Sequence, residues 1–245
     1  MSSDAERPAF YALPSGGWRD YWTLLHPPYT AWHLSYVVLG AAIAPVVNIR
    51  FLLETLLAFF LALGVSAHAL DELHGRPLQT RIPDGVLIGL AVVGLAGAIA
   101  LGVDGAIEVT PWIWAFIGAG GFLVVAYNLE LLGGAFHSDL WFALAWGAFP
   151  ALTAYAAQTG TVRLDAVVLA AACATISAAQ RILSTPVRQL RRDVTDVRGE
   201  FTTRDGIVRP IDAALLRSTP EAALRWLSLA MPLLAAAALI ARLAG

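Results

Sequence analysis

The sequence predicts an all-α, polytopic transmembrane helix bundle, and three observations carry the prediction. First, hydrophobic residues make up 58% of the 245-residue chain and charged residues 14%, with a mean hydropathy of +0.67. Soluble domains carry roughly 25% charge, so too few charges remain here to coat a globule facing water. Second, seven stretches are long enough to cross ~30 Å of hydrocarbon as helices and carry few charges. Third, these runs lack the strict alternation of barrel strands. A backbone in lipid must satisfy its own polar groups, so helices remain.

The elements follow in order. MSSDAERPAFYALPSGGWRDYW reads as a cytoplasmic N-terminal tail over residues 1–22. It has no short apolar core ahead of a small-residue cleavage site, so no cleaved signal peptide is expected. Trp18, Tyr21 and Trp22 suit the lipid headgroup level, where an apolar ring with a polar tip is favoured. A transmembrane domain is expected over 23–245, with spans at 23–47, 50–73, 84–103, 109–131, 138–158, 163–185 and 221–243. Gly75 and Pro77 end the second span. Pro186 is expected to kink or break the sixth. The tracts AVVLAAACATISAA and LLAAAALIARLAG read as small-residue faces for close helix packing.

Composition also excludes chemistry. The net charge of -2 argues against nucleic acid as a partner, because phosphate binding needs a basic excess. All 16 basic residues are arginine, which excludes a lysine Schiff base. The single cysteine, Cys173, lies in an apolar run and can form neither an internal disulfide nor a thiolate metal site alone.

Thirteen arginines fall on the face holding the N-terminus and the second-to-third, fourth-to-fifth and sixth-to-seventh connections; three fall on the other. The positive-inside rule then places the N-terminus in the cytoplasm and the C-terminus outside, in a plasma membrane. Three polar clusters share that arginine-rich face: HALDELHGRPLQTR, YNLELLGGAFHSD and RQLRRDVTDVRGEF. Their convergence at one mouth predicts a pocket opening to the cytoplasm.

In the first cluster, helical spacing stacks His68 over Asp71 and Glu72, and Asp71 over His74. Ionisable groups at membrane depth are costly and mark sites. Three readings stay open: carboxylates holding Mg²⁺ that binds a diphosphate, imidazoles and carboxylates holding zinc or iron, or a helix end whose charges pair with one another. The second cluster offers Tyr127 and Asn128, one turn inside the membrane edge. In the third, Arg188 and Arg192 can fork onto phosphate oxygens or attract anionic lipid headgroups, and Asp193 and Asp196 share a helical face. A haem pair would have to use His33 and His68, the two histidines well inside apolar sequence.

Two stretches carry a resemblance. His68 to Glu72 followed by Arg76, Pro77 and Leu78 resembles the Asn-x-x-x-Asp and Arg-Pro-Leu pattern ending the second helix of the UbiA superfamily of intramembrane prenyltransferases. Tyr127, Gly147, Pro150, Tyr155, Gln158, Thr159 and Gly160 are similar to the naphthoate prenyltransferase-like branch. The resemblance spans roughly residues 23 to 200. It implies a bundle that binds an isoprenyl diphosphate at its cytoplasmic mouth through Mg²⁺, with the chain in an apolar tunnel open to lipid, and transfers or cyclises the prenyl group. It assigns Asp71, Glu72 and Tyr127 to catalysis; His68, Arg76, Asn128, Arg188 and Arg192 to substrate binding; and Asp71, Glu72, Asp193 and Asp196 to the metal.

The chain departs from the pattern where His68 replaces asparagine and Arg76 an acidic residue, and where Ser184, Pro186 and Arg188 stand in place of the second acidic motif. It also has seven expected spans against the family's usual nine. The alternatives are a non-catalytic lipid-binding or scaffolding membrane protein and a metal or haem redox protein.

Overall fold

The structure, a computed structural model, describes residues 7–245. It is 73% helix, with one short hairpin. The helices are α1 (Trp18–Leu24), α2 (Pro27–Ala42), α3 (Ile49–Leu73), α4 (Asp84–Glu108), α5 (Ile113–Asn128), α6 (Asp139–Thr159), α7 (Leu164–Arg192) and α8 (Ala213–Ala244). Strands β1 (Glu200–Thr202) and β2 (Val208–Pro210) pair antiparallel, Phe201 opposite Arg209, in the connection from α7 to α8.

Five helices, α3, α4, α6, α7 and α8, are long and apolar enough to cross a membrane, which fits an integral membrane protein. Only 17% of the apolar window of α4, and of α8, is buried within the chain. Val92 and Val93 on α4, and Leu233 and Ile240 on α8, point outward, and such a surface is stable in hydrocarbon rather than water. The other two helices at expected span positions, α2 and α5, have 16 residues each, about 24 Å at 1.5 Å per residue.

Local sequence explains the ends. Pro27 and Pro28 open α2, where a missing N–H costs nothing. The Asn48, Ser138 and Asp212 side chains cap α3, α6 and α8 by accepting backbone N–H bonds. Gly160, at φ +70°, closes α6 in the left-handed conformation. Pro186 does not break α7: the helix runs on to Arg192 and carries Arg188, Arg191 and Arg192 with it. It stops there, so Asp193 is the C-cap and Asp196 lies outside the helix, and the expected shared helical face does not form.

Helix α2 is the core of the bundle, with 10 of its residues buried. Trp32 and Tyr36 pack with Ala151, Cys173, Met231 and Ala235. Their polar atoms are satisfied in place: Trp32 Nε1 donates to Tyr36 Oη at 2.6 Å, and Ser177 Oγ donates to the same oxygen at 3.1 Å. Small residues set the crossing of α6 and α7, since a Cβ on Gly147 would stand 2.6 Å from the Cys173 carbonyl oxygen. Residues 60–67 of α3 and 143–148 of α6 are π-helical. Such widened turns recur beside functional sites, and these two adjoin His68 and contain Trp146.

The segment read as a tail packs onto the bundle. Ala9 and Ala12 are buried, the Leu13 N–H donates to Thr23 Oγ1 at 3.0 Å, and buried Asp20 accepts from the N–H groups of Gly16 and Arg81. Residues 1–6 of that expected tail lie outside the described residues. At the opposite end of α3, Arg50 bridges Glu54, Asp104 and Glu108.

Candidate functional site

The C-terminal ends of α3, α5 and α7, the N-terminal ends of α2 and α6, and residues 8–11 enclose a polar cavity of about 860 Å³ including its mouth. His68 and Asp71 come from α3, Tyr127 and Asn128 from α5, and Arg181, Arg188 and Arg192 from α7. Six residues expected to act on substrate or metal (His68, Asp71, Tyr127, Asn128, Arg188 and Arg192) therefore share one wall.

Charge is unbalanced around this space, with three guanidiniums against the single carboxylate of Asp71. Arg181 is partly neutralised by Asp139 at 3.0 Å. Neither Arg188 nor Arg192 meets a carboxylate among the described residues. Arg188 reaches Thr185 Oγ1 at 3.3 Å, and Arg192 Nε donates to the Pro8 carbonyl at 3.3 Å. The Asp71 side chain has no hydrogen bond or ion pair among the described residues and is open to the cavity.

Histidines supply much of the remaining wall. His26, in the left-handed region at φ 46°, stacks on His68 with ring centroids 4.1 Å apart. Burial, followed by the nearby His68 and arginines, pushes the His26 pKa well below its usual value, so the ring is neutral. His68 Nδ1 donates to the Gly64 carbonyl at 3.1 Å, which leaves Nε2 as its basic nitrogen. His33 Nε2 donates to Gln180 Oε1 at 3.0 Å, and His137 Nδ1 to the Tyr127 carbonyl at 3.1 Å. Burial also raises the pKa of Tyr11, keeping its hydroxyl neutral.

Three enclosed polar atoms here have no hydrogen-bond partner among the described residues: His26 Nε2, His33 Nδ1 and Tyr127 Oη. An unsatisfied buried group costs about 1–3 kcal/mol, so these three atoms leave the wall around the cavity incompletely satisfied.

Trp146 lines both this cavity and a second one. The second cavity is an apolar slot of about 680 Å³ between α3, α4, α5 and α6, lined by Leu63, Phe116, Leu123 and Phe149 among others. At the junction the rings of Tyr127, Phe142 and Trp146 meet, with centroid separations of 5.0 to 6.4 Å. Arg188 and Arg192 also line an outer vestibule with Arg76, Gln79, Gln189 and Asp193.

Several expected positions are corrected by the geometry. Glu72 is wholly buried, and its carboxylate accepts from Leu78 N at 2.9 Å, Thr80 N at 2.9 Å and Thr80 Oγ1 at 2.8 Å. It fastens the loop after α3 and does not face the cavity. Consecutive helical residues lie about 100° apart, and here that rotation turns Asp71 to the cavity and Glu72 to the loop. Arg76 is likewise used locally, donating to the Ile82 carbonyl at 2.7 Å and pairing with Asp84. Asp193 reaches only the outer vestibule, and Asp196 pairs with Arg198 at 2.5 Å.

The four residues expected to hold Mg²⁺ thus do not converge. Among the described residues no three His, Cys, Asp or Glu side chains form a metal-holding group. A wall with surplus positive charge and one carboxylate does not fit a divalent cation. Gln158, far from the cavity, latches the Asn48 backbone with bonds of 2.6 and 3.2 Å at the other end of the bundle. Sequence reasoning missed Arg181, Gln180, Tyr11 and Trp146 as cavity residues. For Arg181 and Gln180 the available signal was their place at the same end of the chain's spans; Tyr11, in the expected tail, had none.

Fold and site together define a membrane-type helical bundle with a basic, histidine-lined cavity beside an apolar slot. Comparison with known proteins finds no family model, no curated protein and no solved structure that matches this chain.

Proposed function

We propose that this chain is a UbiA-like integral membrane protein that binds an isoprenyl diphosphate, its head in the basic cavity and its chain in the apolar slot, and transfers or cyclises the prenyl group. The observation that carries the reading is the pair Arg188 and Arg192. Neither has a carboxylate partner among the described residues, and both face a polar cavity whose wall residue Trp146 also lines an almost wholly apolar slot. A molecule with a multiply charged head and a long hydrocarbon tail matches both halves. In this reading α2 and α5 span the bilayer with the five longer helices, the N-terminus lies in the cytoplasm, and the protein sits in the plasma membrane.

The reaction needs charge placed where it develops. The allylic C–O bond breaks and its electron pair goes to the diphosphate, whose added charge Arg188 and Arg192 neutralise by forked hydrogen bonds. The carbocation left behind lies against the faces of Tyr127, Phe142 and Trp146, which stabilise a cation through their ring quadrupoles. It is captured by an electron-rich aromatic carbon of an acceptor, or by a double bond of its own chain. The proton then released passes to His68 Nε2. Asp71 adds a negative charge beside the cation.

Purified protein supplied with radiolabelled farnesyl or geranylgeranyl diphosphate, with and without an aromatic acceptor, tests this reading by binding and by diphosphate release. Saturable binding with release supports it; no binding at any chain length refutes it. A second reading, a non-catalytic lipid-binding protein, is favoured by the single carboxylate in the cavity, and it predicts binding without release.

A further inference from the structure

We propose that the diphosphate head is held directly by guanidinium groups, with no divalent cation between protein and phosphate; this rests on the isoprenyl diphosphate reading above. A Mg²⁺-bridged head needs a carboxylate-rich wall, since the ion is usually bound by one or two carboxylates together with substrate phosphates. Here the second carboxylate of the expected site, Glu72, is fully occupied by Leu78 and Thr80. Asp193 and Asp196 point elsewhere.

What remains is Asp71 among Arg181, Arg188 and Arg192. That wall repels a divalent cation and attracts an anion, doing by side chains what the ion would otherwise do. The geometry also provides for the phosphate oxygens. Arginine forks match them bidentately and carry their charge at any accessible pH. Arg188 and Arg192 lie one turn apart at i, i+4 on α7, so both heads project on one face. Both also line the outer vestibule, which gives the head, or a released diphosphate, a path to water along the same two residues.

Asp71 gives the proposal its sharpest consequence, because the two modes of binding predict opposite signs. If a cation bridged Asp71 to the head, Asp71→Asn would weaken binding. If the guanidiniums hold the head directly, the same change removes a repelling charge and strengthens it.

The experiment measures binding of geranylgeranyl diphosphate to the purified full chain, in parallel with excess EDTA and with millimolar Mg²⁺. Inorganic pyrophosphate is titrated as competitor in EDTA. The expected result is affinity in EDTA within about threefold of that in Mg²⁺, displacement by pyrophosphate, and binding tightened severalfold by D71N. Binding should weaken at least tenfold in R188Q and in R192Q, with folding of each variant checked by its melting temperature. Binding that appears only with Mg²⁺ and is weakened by D71N overturns the metal-free proposal and leaves the isoprenyl diphosphate reading standing. No binding in either buffer overturns both.

Discussion

Replacing Glu72 with alanine separates the two roles a carboxylate at this position could have. The side chain is fully buried and accepts three hydrogen bonds, from Leu78 N, Thr80 N and Thr80 Oγ1, at 2.8 to 2.9 Å. Each buried donor left without its acceptor costs about 1–3 kcal/mol. Water entering the space relieves part of this, so the total should be roughly 3–5 kcal/mol. A chain of this size loses about 2–4 °C of melting temperature per kcal/mol. Glu72→Ala should therefore melt roughly 10 °C lower in detergent, with Glu72→Gln intermediate because its amide oxygen can keep part of the set. The assay is thermal unfolding followed by tryptophan fluorescence, with and without Mg²⁺. A melting temperature unchanged from wild type, together with a lost response to Mg²⁺, would refute the loop-clamp reasoning and restore Glu72 as a metal ligand.

Four further outcomes are expected. Tyr127→Phe removes a buried hydroxyl with no partner among the described residues, so the unliganded protein should be stabilised by up to about 1–3 kcal/mol while prenyl diphosphate binding weakens; a loss of stability would contradict the assignment. Gly147→Ala places a Cβ 2.6 Å from the Cys173 carbonyl oxygen, and the overpacked crossing should cost about 1–3 kcal/mol, read as a lower melting temperature. Glu221→Ala breaks a buried pair with Arg191 at 2.8 Å between α7 and α8, and should cost about 3–5 kcal/mol.

The fourth outcome concerns pH. His26 has its folded pKa lowered by burial, so the unfolded state takes up its proton first as pH falls below about 6.5. Its contribution to stability is full above that pH and falls, by up to about 1.4 kcal/mol per pH unit, on acidification towards the folded pKa. His26→Asn, which tolerates the left-handed backbone, should flatten melting temperature against pH between 7.5 and 5; an unchanged slope would count against the assignment.

Most helix positions were legible in sequence because each depends on neighbours in the chain. Apolar run length, and Gly75 and Pro77 just after the end of α3, act within a turn or two of their own positions. The exceptions have local physical reasons. Pro186 leaves one helical carbonyl unpaired, and that was not enough to end α7. The hairpin from 200 to 210 is too short and too exposed to leave a hydrophobic period. For the site, sequence identified chemical types and the shared end of the bundle, and six of the named residues do line one cavity. It could not tell Asp71 from Glu72, which are neighbours of nearly identical chemistry.

Sequence by itself determined that this chain is a bundle of apolar helices with its arginines concentrated at one end, because composition and run length fix what solvent each segment can face. Only the tertiary structure decided which groups meet there. Whether Asp71 is free and Glu72 spent, whether Arg188 has a partner, and whether residues 8–11 help enclose a cavity depend on contacts between segments as much as 184 positions apart. No local rule of the chain encodes those contacts. They follow from how α2, α3, α5, α6 and α7 pack, and from the helical rotation that turns one carboxylate inward to a loop and the next into open space.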